Sequence, residues 1–565
     1  MKFIRVAAFC SLLLAYGHCF SQEKAVFSNF FYHNDDKTTE YDPNEEYLNP
    51  VIRGFYPDPS VCRRGEDFYL VNSSFAYYPG IPIWHSTDLV NWKQLGYVLN
   101  RKLQLDIKDV RMSRAVYAPD IQFNEQNNTF YVIYTTVDMG GNFYVKTTNP
   151  KSNHWSDPIP LPEVGGIDPS FFFDVDGKAY IVNNDAPSYP AEYDGHRAIW
   201  IHEFDVKTGK VVKGTSKVII DKGTNPEKKP IWIEGPHLYR VNNKYYLMAA
   251  EGGTAEAHSE VIFSADSVMG PYKQCPINPI LTQRNLQAGR KDAVTCTGHA
   301  DLVQDINGNW FSVFLGCRPY KDDFYNTGRE TFLLPVTWND EQPVILKEGE
   351  SVPMKLKKSM LRPENRDLTG NCDDFMANRL SNQWNFIRTP QDPANKWYQV
   401  GGGKLTITPR PVTLDSYGNP SFIGERVISK EYTATVHLDY LPLKEGEFAG
   451  MACFYNDEHF YTLGKTVNSK GKMVIRLSGR NKDNTFSEEQ LIPNKKKLSE
   501  LVLKVKQVGD KMQFSYFFQE AKAENKIEMK FSEQDATVLS TKVAGGFTGA
   551  YIGMYASTTD KDMNK

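Results

Sequence analysis

The sequence is poor in cysteine, has no excess of charge of either sign, and contains only one apolar run of note, which is short. Eight of the 565 residues are cysteines, and they form no CxxC pair, which excludes a zinc site of the usual spacing. The 65 basic and 68 acidic residues leave a net charge of -3, unlike the strongly basic chains that bind nucleic acid. No long stretch shows the 3.6-residue apolar period of a helix. These absences leave a globular protein built from strands.

The first 21 residues have the three parts of a secretory signal peptide. Lys2 and Arg5 form a basic start, residues 6–16 are apolar, and small residues end the segment. The apolar run is too short to span a membrane. We therefore predict export to the periplasm or the exterior. Residues 22–46 are polar and predict a flexible leader.

A β-hairpin pattern recurs five times after the leader. Each copy has a short strand, a polar turn and a second strand rich in aromatic and β-branched residues. The copies begin at Asp58-Pro59-Ser60, Ala118-Pro119-Asp120, Asp168-Pro169-Ser170, Glu234-Gly235-Pro236 and Gly298-His299-Ala300. They are about 50 to 70 residues apart, slightly above the usual repeat of a β-propeller. We predict an all-β chain with a five-bladed β-propeller over residues 47–348, a linker over 349–371 and a β-sandwich over 372–565.

The residue that opens each hairpin would point at a common centre, because the innermost strand of each propeller blade lines the axis. The five openers are Asp58, Ala118, Asp168, Glu234 and His299. A single aspartate before proline is usually a turn former, but the repeat predicts that three carboxylates converge. Like charges at close range raise the pKa of at least one of them, which keeps an acid protonated near neutral pH. The pattern therefore predicts a catalytic trio.

The hairpin openers and their flanks resemble glycoside hydrolase family 43. The resemblance is carried, in the family's order, by Gly54 to Ser60, Ile167 to Ser170, Glu234 to Tyr239, Gly298 to Asp301 and Gly328 to Thr331. The C-terminal region is similar to the concanavalin-like or lectin-like sandwich that accompanies β-xylosidases and arabinofuranosidases of this family.

This resemblance implies hydrolysis with inversion at the sugar carbon. Asp58 would be the general base that activates water, and Glu234 the general acid that protonates the leaving oxygen. Asp168 would tune the pKa of that acid and hold its orientation. Inverting enzymes keep their two carboxyl groups about 6.5–9.5 Å apart so that water fits between them.

The resemblance also implies five substrate-binding residues. Phe75 would pack against the sugar, Tyr117 would form the pocket wall where relatives often have tryptophan, and Thr254 would hydrogen-bond near the acid. His299 would lie on the axis, and Arg329 would reach the substrate and the carboxylates. Each of Phe75, His299 and Arg329 also has a structural reading, as core, as an interior histidine and as an ion pair. No cofactor is required, no metal ligand is assigned, and the resemblance allows a structural calcium ion near His299.

We expect an exo-acting enzyme that releases pentose from xylan or arabinoxylan fragments, with β-D-xylosidase favoured over α-L-arabinofuranosidase. A non-catalytic carbohydrate-binding propeller is the alternative from another class, and the presence of all three acids disfavours it. The expected partner is an oligosaccharide or polysaccharide, with no nucleic acid and no membrane span, and the sequence leaves the oligomeric state open. The segment Ser421–Gly424 is the candidate for a sandwich loop that reaches the active site.

Overall fold

Strands make up almost all the regular structure of this computed structural model, which describes residues 24–37, 39–339, 342–358, 369–391, 396–496, 500–519 and 527–559. The predicted signal peptide lies outside these ranges, as do residues 359–368 of the predicted linker. The helices in the described ranges are α1 (Thr541–Ala544) and four 3-10 turns, Pro150–Ser152, Pro226–Lys228, Asn494–Lys496 and Ala536–Leu539. None of the described helices has the length and apolar character needed to cross a membrane. The all-β prediction is confirmed.

The first part of the chain forms five antiparallel sheets, preceded by β1 (Ala25–Asn34) and β2 (Glu46–Leu48). Sheet 1 contains β3 (Ser60–Arg64), β4 (Asp67–Val71), β6 (Gly80–Ser86) and β7 (Lys93–Leu99), with β5 (Tyr77–Tyr78) between them in the chain. Sheet 2 contains β8 (Ala115–Asn124), β9 (Thr129–Val137), β10 (Gly141–Thr147) and β11 (Ile159–Pro160). Sheet 3 contains β12 (Ile167–Phe173), β13 (Ala179–Asp185), β14 (Ala198–Asp205), β15 (Lys210–Val211) and β16 (Lys217–Asp221).

The remaining two sheets of this part follow the same plan. Sheet 4 contains β17 (Glu234–Val241), β18 (Lys244–Glu251), β19 (Ser259–Ala265), β20 (Lys273–Gln274) and β21 (Leu281–Thr282). Sheet 5 contains β22 (Thr295–Gln304), β23 (Trp310–Cys317), β24 (Glu330–Asn339) and β25 (Gln342–Val344). The first two strands of every sheet form one of the five predicted hairpins.

The first strands of the five sheets, β3, β8, β12, β17 and β22, contact one another in a closed cycle. One apolar cluster lies between each pair of neighbouring sheets. Between sheets 2 and 3, for example, the rings of Tyr131 and Phe171 meet edge to face at 5.6 Å. Burial of these clusters holds the sheets face to face, and the cycle brings the starts of all five first strands to one place.

The C-terminal part forms two further large sheets with one shared apolar core, and two of its short strands pair instead with β2 and β5 of the first part. Its strands are β26 (Lys355–Lys357), β27 (Gly370–Asp373), β28 (Phe386–Ile387), β29 (Tyr398–Gly401), β30 (Lys404–Ile407), β31 (Ser421–Arg426), β32 (Tyr432–Asp439), β33 (Phe448–Asn456), β34 (His459–Val467), β35 (Met473–Asn481), β36 (Asn484–Leu491), β37 (Leu501–Val508), β38 (Lys511–Phe518), β39 (Met529–Lys530), β40 (Gln534–Asp535) and β41 (Tyr551–Ser557). The six-stranded sheet has the order β31-β41-β33-β34-β35-β36, and the nine-stranded sheet has the central order β29-β30-β1-β32-β37-β38-β39.

The flexible leader predicted for residues 22–46 is wrong for Ala25–Asn34, which forms β1 in the middle of the nine-stranded sheet. Strand β1 pairs with β30 on one side and β32 on the other. Phe27, Phe30 and Tyr32 are buried, but the register shifts between Ser28 and Phe31. That irregularity breaks the period of two by which a half-buried strand is recognised, so the sequence pattern does not indicate a strand here.

Arg426, on β31 of the C-terminal part, contacts the segment of the first part that leads into Asp58. Its Nε donates to the Phe55 carbonyl oxygen at 2.7 Å, and its guanidinium lies 4.2 Å from the centre of the Tyr56 ring. Phe55 and Tyr56 come just before Asp58. The C-terminal part therefore holds the segment that leads into the first opener.

Candidate active site

Asp58, Asp168 and Glu234 lie together where the first strands of their sheets begin. Asp58 and Asp168 line one small cavity with His299, and the Glu234 carboxylate interacts electrostatically with both aspartates. The three residues are 5%, 6% and 8% exposed, respectively. The structure thus brings the three predicted carboxylates into one buried site.

One backbone conformation repeats at this site. Asp58, Asp168, Gly235 and His299 have φ angles of 50°, 55°, 55° and 50°, in the left-handed region that glycine, aspartate and histidine enter more readily than most residues. The ladders of β12, β17 and β22 shift register at the same point, and such bulges re-aim side chains. A Cβ at Gly235 would lie 2.9 Å from the His299 ring. Glycine therefore occupies this position in sheet 4, and the carboxylate is carried one residue earlier, by Glu234.

Asp58 is held in the charged form. Its Oδ2 accepts a hydrogen bond from Ser73 Oγ at 2.5 Å, and its Oδ1 accepts one from Arg329 Nη1 at 3.3 Å. Burial raises the pKa of Asp58, but the Arg329 guanidinium, His299 and the Ser73 hydroxyl together outweigh it, so the pKa lies below its ordinary value. Asp58 is consequently ionised at neutral pH and able to accept a proton.

Asp168 and Glu234 have the opposite tendency. Burial and the charges of Glu234 and Asp58 raise the pKa of Asp168 well above its ordinary value. Burial and the Asp58 charge raise the pKa of Glu234 to about 7, against the opposing charges of Arg329 and Arg197. Asp168 Oδ2 accepts a hydrogen bond from Gly235 N at 3.3 Å, which ties it to the strand of Glu234. A carboxyl group with a pKa near 7 can deliver a proton at neutral pH.

Three of the predicted substrate-binding residues form a wall beside the carboxylates. The Phe75 and Tyr117 ring centres are 5.0 Å apart, and the Arg329 guanidinium lies 5.9 Å from the Phe75 ring while it contacts Asp58. Phe75 is 2% exposed, so the core reading describes it better than an open sugar platform. Tyr117 is half-buried and donates its hydroxyl hydrogen to Ser113 O at 2.8 Å.

The other two predicted substrate-binding residues, His299 and Thr254, occupy different kinds of position. His299 lines the cavity between Asp58 and Gly235, and burial lowers its pKa to about 4, so its imidazole is neutral near pH 7. Thr254 lies half-buried in the loop after β18. Within the described ranges it makes no hydrogen bond to the Glu234 carboxylate, and its role near the acid stays a prediction.

A residue of the C-terminal part completes the wall. The Phe547 ring stacks on Phe75 at 6.0 Å and meets Tyr117 edge to face at 6.1 Å. Its carbonyl oxygen accepts from Arg329 Nη2 at 3.4 Å, and its N–H donates to Ser113 Oγ at 2.9 Å. Five residues from four separate segments of the chain are thereby fixed against one another.

The segment of the sandwich that reaches the site is not the predicted one. Ser421–Gly424 belongs to β31 and pairs along its length with β41, so it forms no loop and the prediction is wrong. Phe547 instead follows Gly545 and Gly546, which both have positive φ, in the connection between α1 and β41. A glycine pair before an aromatic residue was the only signal in the sequence, and it is a weak one.

Replacing Phe547 by alanine is expected to raise KM and lower kcat/KM by roughly tenfold, since an aromatic contact of this kind contributes about 0.5–1.5 kcal/mol beyond its buried area. Steady-state kinetics on a pentoside substrate measures the effect. Phe486→Ala, a matched change at a partly exposed ring on β36, should leave both constants unchanged. Equal losses in the two variants would mean that Phe547 only supports folding of the sandwich.

Two further residues beside the acid were absent from the prediction. The Arg197 guanidinium lies 4.3 Å from the centre of the Trp232 ring, and its charge opposes the rise in the Glu234 pKa. Trp232 is half-buried and has a φ of 55°, two residues before Glu234. Arg197 and Trp232 thus place a cation and a half-buried indole ring near Glu234.

The residues around His299 do not fit a calcium ion held by protein oxygens. Calcium takes six to eight oxygen ligands, whereas the carboxylate that faces the His299 ring is Asp58, whose Oδ1 lies 3.8 Å from Nδ1 and also contacts Arg329. Within the described ranges, the His, Cys, Asp and Glu side chains that could hold a metal ion as a group of three or more are Asp120, His237 and Asp301. These lie one layer beneath the carboxylates, and His299 is not among them.

Comparison with known proteins gives consistent matches along the chain. Residues 47–343 match the glycosyl hydrolases of family 43, and residues 372–565 match the β-xylosidase C-terminal concanavalin A-like domain, which confirms the predicted type of the second domain. The chain is 37% identical over 521 residues to a xylosidase/arabinosidase of Butyrivibrio fibrisolvens, covering 91% of this chain and 96% of that protein.

Two further likenesses have similar coverage. The non-reducing end α-L-arabinofuranosidase of Bacteroides ovatus is 35% identical over 530 residues, which cover 90% of this chain and 91% of that one. The crystal structure of a GH43_12 protein retrieved from the capybara gut metagenome superposes with a TM-score of 0.85 at 40% identity, covering 95% of this chain and 100% of that chain.

Proposed function

Because the chain belongs to glycosyl hydrolase family 43, we propose that it is an exo-acting, inverting hydrolase that releases pentose from xylan or arabinoxylan fragments. The observation that carries the proposal is the pair of opposite protonation states in one buried site, a lowered pKa at Asp58 and a raised pKa at Glu234. Inversion requires one ionised and one protonated carboxyl group on opposite sides of the scissile bond.

Each of the three acids has a distinct part in this mechanism. Ionised Asp58 accepts a proton from the water that attacks the anomeric carbon, and Arg329 keeps Asp58 ionised. Protonated Glu234 delivers its proton to the leaving oxygen. Asp168 accepts from Gly235 N and holds the orientation of the strand that carries Glu234, while burial and the Asp58 charge keep the proton on Glu234 until the bond breaks.

The scaffold of the proposal is a five-bladed β-propeller formed by the five sheets. Three features support it: the four- or five-stranded antiparallel sheets, the closed cycle of their first strands, and the single apolar cluster in each gap. This architecture brings the start of each first strand to the axis.

We favour β-D-xylosidase activity, with α-L-arabinofuranosidase as the second candidate. The match of residues 372–565 to a domain named for β-xylosidases supports the first, as does a relative in Bacillus subtilis named β-xylosidase, at 31% identity. The Bacteroides ovatus relative supports the second. Export to the periplasm or exterior, proposed from residues 1–21, fits a polymeric substrate outside the cell.

A test of the proposal combines nitrophenyl pentosides with the stereochemistry of the first product. We expect faster cleavage of the β-D-xyloside than of the α-L-arabinofuranoside, and proton NMR should detect α-xylose before mutarotation. Release of β-xylose first would contradict an inverting mechanism. Tight binding of xylo-oligosaccharides without turnover of either pentoside would favour a non-catalytic carbohydrate-binding protein.

A further inference from the structure

Beneath the three carboxylates lies a second layer of buried polar side chains on the same first strands. Side chains two positions apart in a strand face the same side, and the cavity at the site is accordingly lined by residues of both layers. Sheets 2 and 5, whose openers are Ala118 and His299, place aspartates in this second layer. These are Asp120 and Asp301, which are 2% and 1% exposed.

Asp120 connects the two sheets that flank its own. Its Oδ1 lies 2.9 Å from the Ser60 hydroxyl of sheet 1, and its Oδ2 accepts from Phe171 N of sheet 3 at 2.9 Å. Ser60 and Phe171 follow Asp58 and Asp168 by two and three residues. Asp120 thereby links the strand that carries Asp58 to the strand that carries Asp168.

Asp301 does the same on the other side of sheet 1. Its Oδ2 accepts from Val61 N at 2.8 Å and lies 3.0 Å from the Ser60 hydroxyl, while its Oδ1 accepts from the Tyr239 hydroxyl of sheet 4 at 2.7 Å. Sheets 1 and 4 carry Asp58 and Glu234. Asp301 thereby links the strand of the proposed base to the strand of the proposed acid.

The remaining junction, between sheets 3 and 4, is closed in this second layer by a serine and not by an aspartate. Ser170 Oγ donates to the Pro236 carbonyl oxygen at 2.5 Å, next to the bond from Gly235 N to Asp168. Side-chain hydrogen bonds therefore join every neighbouring pair of first strands in a closed cycle, one layer below the carboxylates.

A bound cation explains the cluster of Asp120, His237 and Asp301 less well. His237 Nδ1 lies 3.6 Å and 3.8 Å from Asp120 and Asp301 and has no hydrogen-bond partner among the residues that the structure describes, so the three residues could face an ion. Each aspartate oxygen, however, already lies within hydrogen-bond distance of an N–H or O–H donor. A cation would have to displace these donors and open the cycle.

We infer that Asp120 and Asp301 are positioning residues that set the separation between the proposed base Asp58 and the acids Asp168 and Glu234. The inference rests on the function proposed above. Carboxylates suit this role because each can accept hydrogen bonds at both oxygens from two different sheets. Sheets 2 and 5 thus contribute to the reaction although neither carries a catalytic carboxylate.

The test is to replace each aspartate by asparagine, which keeps the shape but turns one acceptor into a donor. We expect kcat to fall by about 10- to 100-fold, since a displacement of roughly 1 Å can cost that much, while KM changes by less than about threefold because the aromatic wall is intact. In Asp301→Asn, the alkaline limb of the kcat/KM profile should also move to lower pH, because the Asp58 charge that raises the Glu234 pKa moves away.

The matched control is Asp174→Asn, which alters a buried aspartate that also bridges two sheets but lies at the far end of β12. Asp174 accepts from Arg240 Nη1 at 2.9 Å and from the Tyr245 hydroxyl at 2.6 Å. This variant should lose thermal stability and keep both kcat and the pH profile. Should Asp301→Asn fail to fold, Tyr239→Phe removes a single donor to the same carboxylate and is expected to give a smaller change of the same kind.

The inference is overturned if folded Asp120→Asn and Asp301→Asn behave like the control, with lower melting temperatures, kcat within about threefold of the parent and unchanged pH profiles. Glu234→Gln, assayed beside them on xylobiose, whose leaving alcohol needs a proton, separates this failure from a failure of the proposed function. If that variant stays active, the assignment of the acid itself is wrong. If it is inactive while the two asparagine variants are not, only the positioning role is lost.

Discussion

Replacing Asp58 by asparagine is expected to lower kcat by about 10³- to 10⁴-fold, at the upper end of what a general base contributes. The asparagine amide cannot accept the proton of the attacking water, whereas the hydrogen bond from Ser73 and the surrounding wall remain. Steady-state kinetics on the β-D-xyloside, with circular dichroism to verify folding, measures the loss. A variant that retains a tenth of the parent kcat would exclude Asp58 as the base.

Ser73→Ala is the matched control for this change, because it removes the hydrogen bond to Asp58 and keeps the carboxylate. The Ser73 hydroxyl lowers the pKa of Asp58, so its removal raises that pKa. Since the base must be ionised, the acidic limb of kcat/KM should move to higher pH, with only a modest loss at the optimum. An unshifted acidic limb would assign that limb to a group other than Asp58.

Replacing Glu234 by glutamine is expected to have the second large effect, and its size should depend on the leaving group. Cleavage of xylobiose, whose leaving alcohol needs a proton, should fall by about 10³- to 10⁴-fold. Cleavage of a nitrophenyl xyloside should fall much less, because a nitrophenolate leaves without protonation. Comparison of kcat/KM for the two substrates in parent and variant measures the contribution of the acid.

The pH dependence follows from the same residue. Burial and the Asp58 charge raise the pKa of Glu234 to about 7, and the reaction needs its protonated form. The parent kcat/KM should therefore fall as pH rises through about 7, and this alkaline limb should be absent in Glu234→Gln. Glu251→Gln is the control: Glu251 is also a buried glutamate with a raised pKa, but its carboxylate accepts from Thr224 N and Oγ1 at 2.7 Å. A lost alkaline limb in that variant would refute the assignment to Glu234.

The convergence of the acids was predictable from the sequence because it depends on a repeat. Five hairpins with similar openers place Asp58, Asp168 and Glu234 at equivalent points, and no single contact has to be known in advance. The protonation states were not predictable from local pattern. Asp58 and Asp168 begin the same tripeptide, Asp-Pro-Ser, yet their pKa values shift in opposite directions. The difference arises from their surroundings: Arg329, His299 and Ser73 lower the pKa of Asp58, whereas the charges of Glu234 and Asp58 raise that of Asp168.

The contribution of the second domain was also beyond the sequence pattern. Phe547 lies in an irregular connection, where neither a period of two nor of 3.6 marks a buried residue. Ser421–Gly424 was assigned by analogy of position, and its pairing with β41 along its length contradicts that assignment. Contacts between segments hundreds of residues apart depend on how the two domains dock, which no local propensity encodes.

The position of β1 has a consequence for how the protein is made. This strand leaves the ribosome before every other described strand, but its partners β30 and β32 emerge roughly 400 residues later, which is about 20–80 s at ordinary synthesis rates. Throughout that interval, a segment with four large aromatic side chains, Phe27, Phe30, Phe31 and Tyr32, has no sheet to join. Strand β1 therefore stays without these partners until β30 and β32 have been synthesised. A fragment that begins after residue 34 would leave a gap at the centre of the nine-stranded sheet.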